Sequence, residues 1–120
     1  MKYRAAKVDD NQKEIVTALR KIGATVIHTH QLKNAFDILV AYQGKMYPIE
    51  IKDGSKLPQK FWKMDDLGKA DYLNEKLTKG EKQCRQDLEK VGVKYIVVWD
   101  VESAVGAITE EKFASKDPLK

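Results

Sequence analysis

The sequence has one cysteine, no long apolar run and no internal repeat. Because disulfides and thiolate zinc sites need two or more sulfurs, Cys84 alone excludes both within this chain. No apolar stretch approaches the roughly 20 residues that cross a bilayer, and residues 1–10 lack the apolar core of a secretory signal. We therefore expect a cytoplasmic protein with no membrane partner.

The charges are nearly balanced, with 22 Lys and Arg against 18 Asp and Glu in 120 residues and a formal charge of +4. Hydrophobic residues make up 42% of the chain, and a chain of this length can bury a core that holds it without disulfides or a structural metal. We expect one folded domain over residues 1–120. The basic excess permits a polyanionic partner but is too small to identify one.

The first part of the chain predicts a helix and then a strand. Asn11, with Glu14 three residues later, suggests a capping box, and the apolar residues that follow have helical spacing. Gly23 is a natural helix stop. Residues 24–30 are short and rich in β-branched side chains, which favours a strand.

Two strand-like runs, 36–42 and 45–52, are separated by Gln43 and Gly44, which suits a tight hairpin turn. Pro48 has no backbone donor and weakens the second run as a central strand. We expect it at a bulge or where the ladder needs no N–H group.

The polar stretch 53–76 predicts mostly irregular or short-helical structure. Thr78 and Glu81 form a capping box, which predicts a helix that ends at Gly92. A strand and a last helix are expected after it, at 93–99 and near 110–115. This order of elements describes a single-domain α/β sandwich, with a central mixed β-sheet flanked by helices.

The hairpin brings two acids together. With the turn at Gln43 and Gly44, Asp37 lies opposite Glu50 on one face of the sheet, with β-carbons about 5 Å apart. Two negative charges at that distance repel by roughly 3 kcal/mol at an effective dielectric of about 20. A cation between them, or a proton held by one of them, would relieve the repulsion. Mg²⁺, which prefers carboxylate and water oxygens, is the cation that fits.

Lys52 follows Glu50 on the same face, about 7 Å further along the strand. A lysine there can hold an attacking water or stabilise charge on a scissile phosphate, while a metal polarises the phosphoryl oxygen. Asp37, Glu50 and Lys52 therefore predict a site for phosphodiester hydrolysis. The alternative is a solvated polar face of a half-buried hairpin.

These residues resemble the motif of the PD-(D/E)xK nuclease superfamily, in which an aspartate on one strand precedes Glu-x-Lys on the next. The order of elements, the runs 36–40 and 49–54, and the helix start at 77–83 resemble the small phage-type VRR-NUC nucleases, relatives of Holliday junction resolvases. The resemblance covers residues 9–100. Phe36 stands where the family commonly has proline, and the usual glycine-rich approach to the aspartate is absent.

The resemblance implies a restriction-endonuclease-like fold and a site that binds Mg²⁺ or Mn²⁺. Asp37 and Glu50 would hold the metal together with the backbone carbonyl of Ile51, and Lys52 would be the catalytic lysine. Two further residues match positions near the site in relatives: Glu14 as a metal ligand and Gln83 as a catalytic polar residue. Glu14 is equally explained by helix capping, and Gln83 by an exposed helix position.

The stretch 53–77 and the helix after it are rich in lysine and contain aromatic residues. Cations neutralise phosphates and aromatic rings pack on bases or sugars, so this stretch could form a flap that contacts DNA. A solvated loop or the contact surface of a homodimer explains it equally well. The candidate nucleic-acid-binding residues are Lys56, Lys60, Lys63, Lys79, Lys82 and Arg85.

Two further features have simple interpretations. His28 and His30 alternate on one face of a strand; without a third nitrogen or sulfur ligand nearby, a surface or substrate-contacting role is favoured over a metal site. Cys84 lies on the apolar stripe of its helix and is interpreted as a small buried hydrophobic residue, not a nucleophile.

From the residues and the resemblance together, the sequence predicts a magnesium- or manganese-dependent DNA endonuclease. The resemblance adds branched DNA, such as a Holliday junction or flap, as the substrate, and a phage-encoded protein that acts in the bacterial host. The alternatives are a non-catalytic nucleic-acid-binding or assembly module with the same fold, and a nuclease that cleaves RNA.

Overall fold

The computed structural model describes residues 10–110. Its elements are, in order, α1 (Asp10–Lys21), β1 (Thr25–His28), β2 (Ile38–Tyr42), β3 (Lys45–Ile51), a 3-10 turn (Gly54–Lys56), α2 (Gln59–Trp62), α3 (Asp66–Glu75), α4 (Lys79–Lys90), β4 (Ile96–Val98) and α5 (Val101–Thr109). The strands β1, β2 and β3 are antiparallel neighbours, and β4 pairs with β3 in parallel. The predicted α/β class with a mixed sheet is confirmed. Among residues 10–110, no helix combines the length and apolarity needed to cross a membrane.

The β2–β3 hairpin has the predicted turn and register. Gln43 and Gly44 both have positive φ, 48° and 80°, as two-residue hairpin turns of the type I′ class require. Ile38 pairs with Ile49 at the far end of the ladder. The turn therefore sets which residues of β2 and β3 meet where the hairpin opens.

Pro48 is buried in β3, opposite Leu39. The pairing of β3 with β4 begins one residue later, at Ile49. At Pro48 only β2 flanks the strand, so β3 is still an edge there, and proline is tolerated at an edge.

The sheet is packed on both faces. On one face, buried side chains of α1 and α5, among them Ile15 and Ala104, cover strand residues such as Ile49 and Ile51. We call this the aliphatic core. On the other face, α2, α3 and α4 cover the alternate residues of β4, and rings dominate. We call this the aromatic core; its buried members are Phe61, Leu73, Leu77, Tyr95, Val97 and Trp99.

Two stretches differ from the sequence prediction. Residues 53–76 contain the ten-residue helix α3, capped by the Asp65 side chain, which accepts from the Gly68 N–H at 2.8 Å. The sequence analysis did not predict α5 (Val101–Thr109), which is the last helix within residues 10–110. The helix expected near 110–115 falls almost wholly on residues 111–115, which lie outside the described residues. The capping box of α5 joins Asp100 and Ser103, an acid-and-serine pattern weaker than the Thr-x-x-Glu box of α4.

Candidate active site

Asp37 lies immediately before β2, where three strands meet. Its N–H donates to the Ile49 carbonyl at 3.0 Å, and its carbonyl accepts from the Thr29 N–H at 2.9 Å. Its carboxylate Oδ2 accepts from the Ile51 N–H at 2.7 Å. Regular pairing of β2 with β3 stops at Ile38, and the Asp37 side chain takes over the next bond to β3. The Asp37 backbone is therefore bonded on both sides, and its carboxylate is bonded to the backbone of β3.

Glu50 lies in the middle of the sheet and is 7% exposed. Its neighbours Ile49 and Ile51 belong to the aliphatic core, so strand alternation directs Glu50 to the other face. Burial, and then the negative charge of Asp37 and the charge and hydrogen bond of Glu81, raise its pKa to about 9; the positive charge of Lys52 opposes them. Without a cation, Glu50 therefore holds its proton at neutral pH.

Lys52 is the cation nearest to these acids among the ion pairs of the described residues. Its Nζ lies 3.7 Å from Glu50 Oε2 and 3.8 Å from Glu81 Oε1. Its backbone N–H donates to the Val98 carbonyl at 2.8 Å, which extends the β3–β4 pairing by one residue. The lysine backbone is thus anchored, and its ammonium group lies between two carboxyl groups.

Glu81 is a member of this cluster that the sequence analysis interpreted only as a helix cap. The capping box is confirmed, since Glu81 Oε1 accepts from the Thr78 N–H at 3.0 Å and Thr78 Oγ1 accepts from the Glu81 N–H at 3.1 Å. The same Oε1 atom faces Lys52. The sequence carries no signal for this contact, because the contact depends on how α4 packs on the sheet.

Asn11 does not cap α1 as predicted. The helix begins at Asp10, so Asn11 lies within the first turn, and its Nδ2 donates to the carbonyls of Lys52 and Trp99, each at 3.0 Å. The amide therefore ties together the ends of β3 and β4 beside Lys52. Glu14 is exposed on α1, the helix on the opposite face of the sheet from Glu50, and its metal role stays a prediction.

Gln83 is exposed, and its Nε2 donates to Asp87 Oδ1 at 2.9 Å. Two residues along an α-helix correspond to a rotation of about 200°, so Gln83 points away from the side of α4 that carries Glu81. The structure thus places it outside the carboxylate cluster, and its catalytic role stays a prediction.

The wall of the cluster is formed by Tyr95 and Cys84. The Tyr95 hydroxyl donates to the Ala35 carbonyl at 2.7 Å, and burial, followed by the charges of Glu50 and Glu81, raises the pKa of Tyr95. Burial and nearby acids also raise the pKa of the Cys84 thiol. A thiol that keeps its proton and packs against the aromatic core is a poor nucleophile, which agrees with the interpretation from the sequence. Cys84 is only partly buried, however, and not the buried residue that was expected.

A groove of about 390 Å³ opens directly beside Lys52. Lys56 and Lys76 line it together with the Tyr72 ring. The Lys76 ammonium lies 5.2 Å from the centre of that ring, within the range of a cation–π contact. Asp53 also lines it, with Oδ2 3.9 Å from Lys56 Nζ. The groove therefore combines a net positive charge with an aromatic surface beside Lys52.

The predicted nucleic-acid-binding residues fall into different environments. Lys56 lines the groove, and the Lys60 ammonium lies 5.8 Å from the centre of the Tyr72 ring. Arg85 pairs with Glu89 on the same helix, with Nε 3.4 Å from Oε2. The other three lie on α4 or between α2 and α3, and their exposure ranges from partial to full: Lys63, Lys79 and Lys82.

The carboxyl oxygens of Asp37 and Glu50 are donors of the type that a hard divalent cation prefers. Within residues 10–110, no three His, Cys, Asp or Glu side chains converge in a metal-binding group. Mg²⁺, however, commonly takes one or two protein carboxylates and completes its shell with water and substrate phosphate. Asp37 and Glu50 supply two interacting carboxylates, and a cation beside them would favour the charged form of Glu50.

Comparisons of the chain with protein-family models, with curated proteins and with solved structures found no match.

Proposed function

We propose that the chain is a metal-dependent DNA endonuclease of the PD-(D/E)xK type, with a restriction-endonuclease-like fold. The observation that carries the proposal is the meeting of a buried Glu50 with Asp37 and Lys52 where the hairpin opens. Burying a carboxyl group beside another acid costs free energy of folding. Ionisable groups with strongly shifted pKa values of this kind cluster at functional sites. The sequence resemblance to VRR-NUC nucleases supports the same interpretation.

In this proposal Asp37 and Glu50 hold Mg²⁺ or Mn²⁺, joined by the Ile51 carbonyl. When bound, such an ion polarises a phosphoryl oxygen and lowers the pKa of a coordinated water. Glu50 would have to release its proton to serve as a ligand to the ion. The Lys52 ammonium, held within 3.8 Å of two carboxylates, orients the attacking water or stabilises the charge that develops on the phosphate.

The groove beside Lys52 supplies the path for the DNA backbone. Lys56 and Lys76 neutralise phosphates, and Tyr72 offers a ring for a sugar or an unpaired base. The resemblance to junction-cutting phage enzymes makes branched DNA the proposed substrate and a homodimer the proposed assembly. In that case the protein acts in the cytoplasm of an infected bacterium.

The decisive experiment is cleavage of a labelled panel: linear duplex, single-stranded, flap and four-way-junction DNA, and RNA. Each substrate is incubated with Mg²⁺, Mn²⁺ or EDTA. Wild-type protein is compared with Glu50→Ala and with Glu75→Ala, a matched truncation of an exposed glutamate on α3.

We expect metal-dependent cleavage that is lost in Glu50→Ala and kept in Glu75→Ala. The substrate that is cleaved fastest then identifies the substrate preference of the enzyme. No cleavage of any substrate, with binding to branched DNA intact, would replace the proposal with the non-catalytic binding module. Cleavage of RNA alone would show that the protein is a ribonuclease that uses the same site.

A further inference from the structure

A second charged pocket lies between α1 and β1. Its volume is about 250 Å³. Lys13, Thr17 and Arg20 line it from the helix, and His28 and His30 line it from the strand side. The sequence analysis noted the histidine pair but gave it no partner residues, because the bases of α1 are distant from it along the chain.

Residues of α1, of the end of β1 and of the turn after it form this pocket. Lys13, Thr17 and Arg20 are spaced four and three residues apart, which places them on one stripe of a helix. His28 is the last residue of β1, and His30 lies beyond the strand in a turn, so the prediction that one strand face carries both is wrong. The turn after β1 nevertheless brings both rings to the lining of this pocket. Since α1 packs over β1, the three helix residues face the two histidines across the pocket.

Several contacts hold these groups in place. Gln12 is 2% exposed, and its Nε2 lies 3.4 Å from His28 Nδ1. Arg20 Nη2 donates to the Val26 carbonyl at 3.2 Å. The two imidazole rings meet edge to face, with centres 5.9 Å apart. His30 Nδ1 is buried and has no hydrogen-bond partner within the described part of the chain.

The positively charged and basic side chains that line the pocket favour a negatively charged ligand. Among the described residues that line it, four side chains are bases and none is an acid. Lysine and arginine repel a metal ion, and two imidazoles without a third ligand make an incomplete metal site. A tetrahedral oxyanion accepts several hydrogen bonds at once and matches a set of convergent donors.

We propose that this pocket binds a phosphate group, with Lys13, Arg20, His28 and His30 as its contacts. The phosphate comes either from a free small molecule or from the 5′ end of a nucleic acid strand. Thr29, which lies between the two histidines, donates its N–H to the Asp37 carbonyl at 2.9 Å, so the segment that carries the histidines is bonded to the segment that carries Asp37. The inference stands without the nuclease proposal, since it concerns binding alone.

The chain has only two histidines, so imidazole signals in a proton–carbon NMR spectrum report on this pocket directly. The titrants are inorganic phosphate, a 5′-phosphorylated oligonucleotide, the same oligonucleotide with a 5′-hydroxyl end, and sodium chloride at matched ionic strength. Wild-type protein is compared with Lys13→Gln, with Lys13→Gln/His30→Asn, and with Lys21→Gln, a control on the same helix outside the pocket.

Both imidazole signals should move saturably with phosphate and stay in place with chloride. Lys13→Gln should weaken binding by about threefold, as expected for an exposed charge, and the double variant by about tenfold or more, as expected when a hydrogen bond to a charged group is also lost. Lys21→Gln should bind like wild type. Tighter binding of the 5′-phosphorylated strand than of inorganic phosphate identifies a nucleic acid end as the source, and the reverse order identifies a free phosphate compound.

Three results would overturn the assignment. They are histidine signals that do not move with phosphate, equal shifts with chloride, and equal weakening by Lys13→Gln and Lys21→Gln. Well-dispersed spectra of the variants in the absence of titrant show that they are folded. Because the readout is binding, a failure here leaves the cleavage panel unaffected, and a failure of the panel leaves this result unaffected.

Discussion

The two faces of the sheet are packed with different chemistry. The face under α1 and α5 carries the aliphatic core, where side chains such as Ile15 and Ile49 are fully buried. The face under α2, α3 and α4 carries the aromatic core, in which Phe61 lies edge-on to Trp99 with ring centres 5.1 Å apart. Only the second face holds the buried acid Glu50 and its partners.

This difference shows how one strand can serve stability and chemistry together. In β3, Ile49 and Ile51 anchor the aliphatic core, and Glu50 between them lies on the other face, beside Lys52 and Glu81. Rings with polar edges, such as Tyr95, tolerate neighbouring charge better than aliphatic side chains do. The aromatic face therefore accommodates the carboxylate cluster, and the aliphatic face supplies the burial that fixes it.

The largest expected effect is the loss of stability when a side chain of either core is truncated, and a spectral change distinguishes the two cores. Phe61→Ala should lower the free energy of unfolding by about 3–5 kcal/mol, and Ile15→Ala by about 2–5 kcal/mol, because both side chains are fully buried. Only Phe61→Ala should change the near-ultraviolet circular dichroism of the tryptophans. Denaturant unfolding measures the stability, and Leu67→Ala, a truncation at a 57% exposed position, should change it by under about 0.5 kcal/mol.

An equal spectral change in both core variants would show that the two faces are not independent. If Phe61→Ala does not fold, Phe61→Leu tests the same point with a smaller loss of volume.

The next effect belongs to the proposed chemistry. Lys52→Met should reduce cleavage by about 100-fold or more, because the charge that orients water or stabilises the phosphate is lost. The comparison is Lys90→Met, which removes an exposed lysine in the last turn of α4. Single-turnover cleavage at saturating protein measures the chemical step. Equal rates for Lys52→Met and wild type would remove Lys52 from the catalytic set.

The buried acid should also make stability depend on pH. The pKa of Glu50 is about 9 in the folded protein and 4.5 in the reference state, so between these values the folded state binds more protons than the unfolded state. The free energy of unfolding should therefore fall as pH rises, by at most about 1.4 kcal/mol per pH unit from this group. Denaturant unfolding in EDTA from pH 5 to about 8.5 measures the slope.

Glu50→Gln should flatten that slope, because the amide does not titrate. Glu75→Gln, at an exposed position, is the matched control and should keep the wild-type slope. An unchanged slope in Glu50→Gln would mean that another group controls the pH dependence.

The smallest expected effect concerns Glu81, which caps α4 and also places a negative charge near Glu50. Thr78→Ala removes the cap of α4 and should cost about 1 kcal/mol of stability, with little change in the pH slope. Glu81→Gln keeps a side chain that can complete a capping box but removes a charge that raises the pKa of Glu50. It should therefore reduce the pH slope above neutrality. Similar pH slopes for Glu81→Gln and wild type would leave Glu81 as a cap only.

Features that depend on neighbours along the chain were predictable from the sequence. The turn at Gln43 and Gly44 sets the register by counting, so the approach of Asp37 to Glu50 follows from the positions of these residues. Alternation along a strand then places Glu50 and Lys52 on one face. The capping box at Thr78 and Glu81 is equally local, since its two residues lie within one helical turn.

Other features depend on the packing of distant elements. The Asn11 amide binds carbonyls at the ends of β3 and β4, although its sequence context resembles an ordinary helix cap. The α5 helix has a weaker start signal and many small side chains, and it gains stability from burial against α1 and β4. The sequence analysis therefore did not predict it.

The sequence by itself determined the hairpin, the approach of Asp37 to Glu50 and the capping box of α4, because these follow from spacings of a few residues. Only the tertiary structure decided that Glu81 faces Lys52, that Gln83 faces solvent, and that the bases of α1 meet the histidines beside β1. Such contacts depend on which face of a helix packs on the sheet, and that is set by the fit of whole elements.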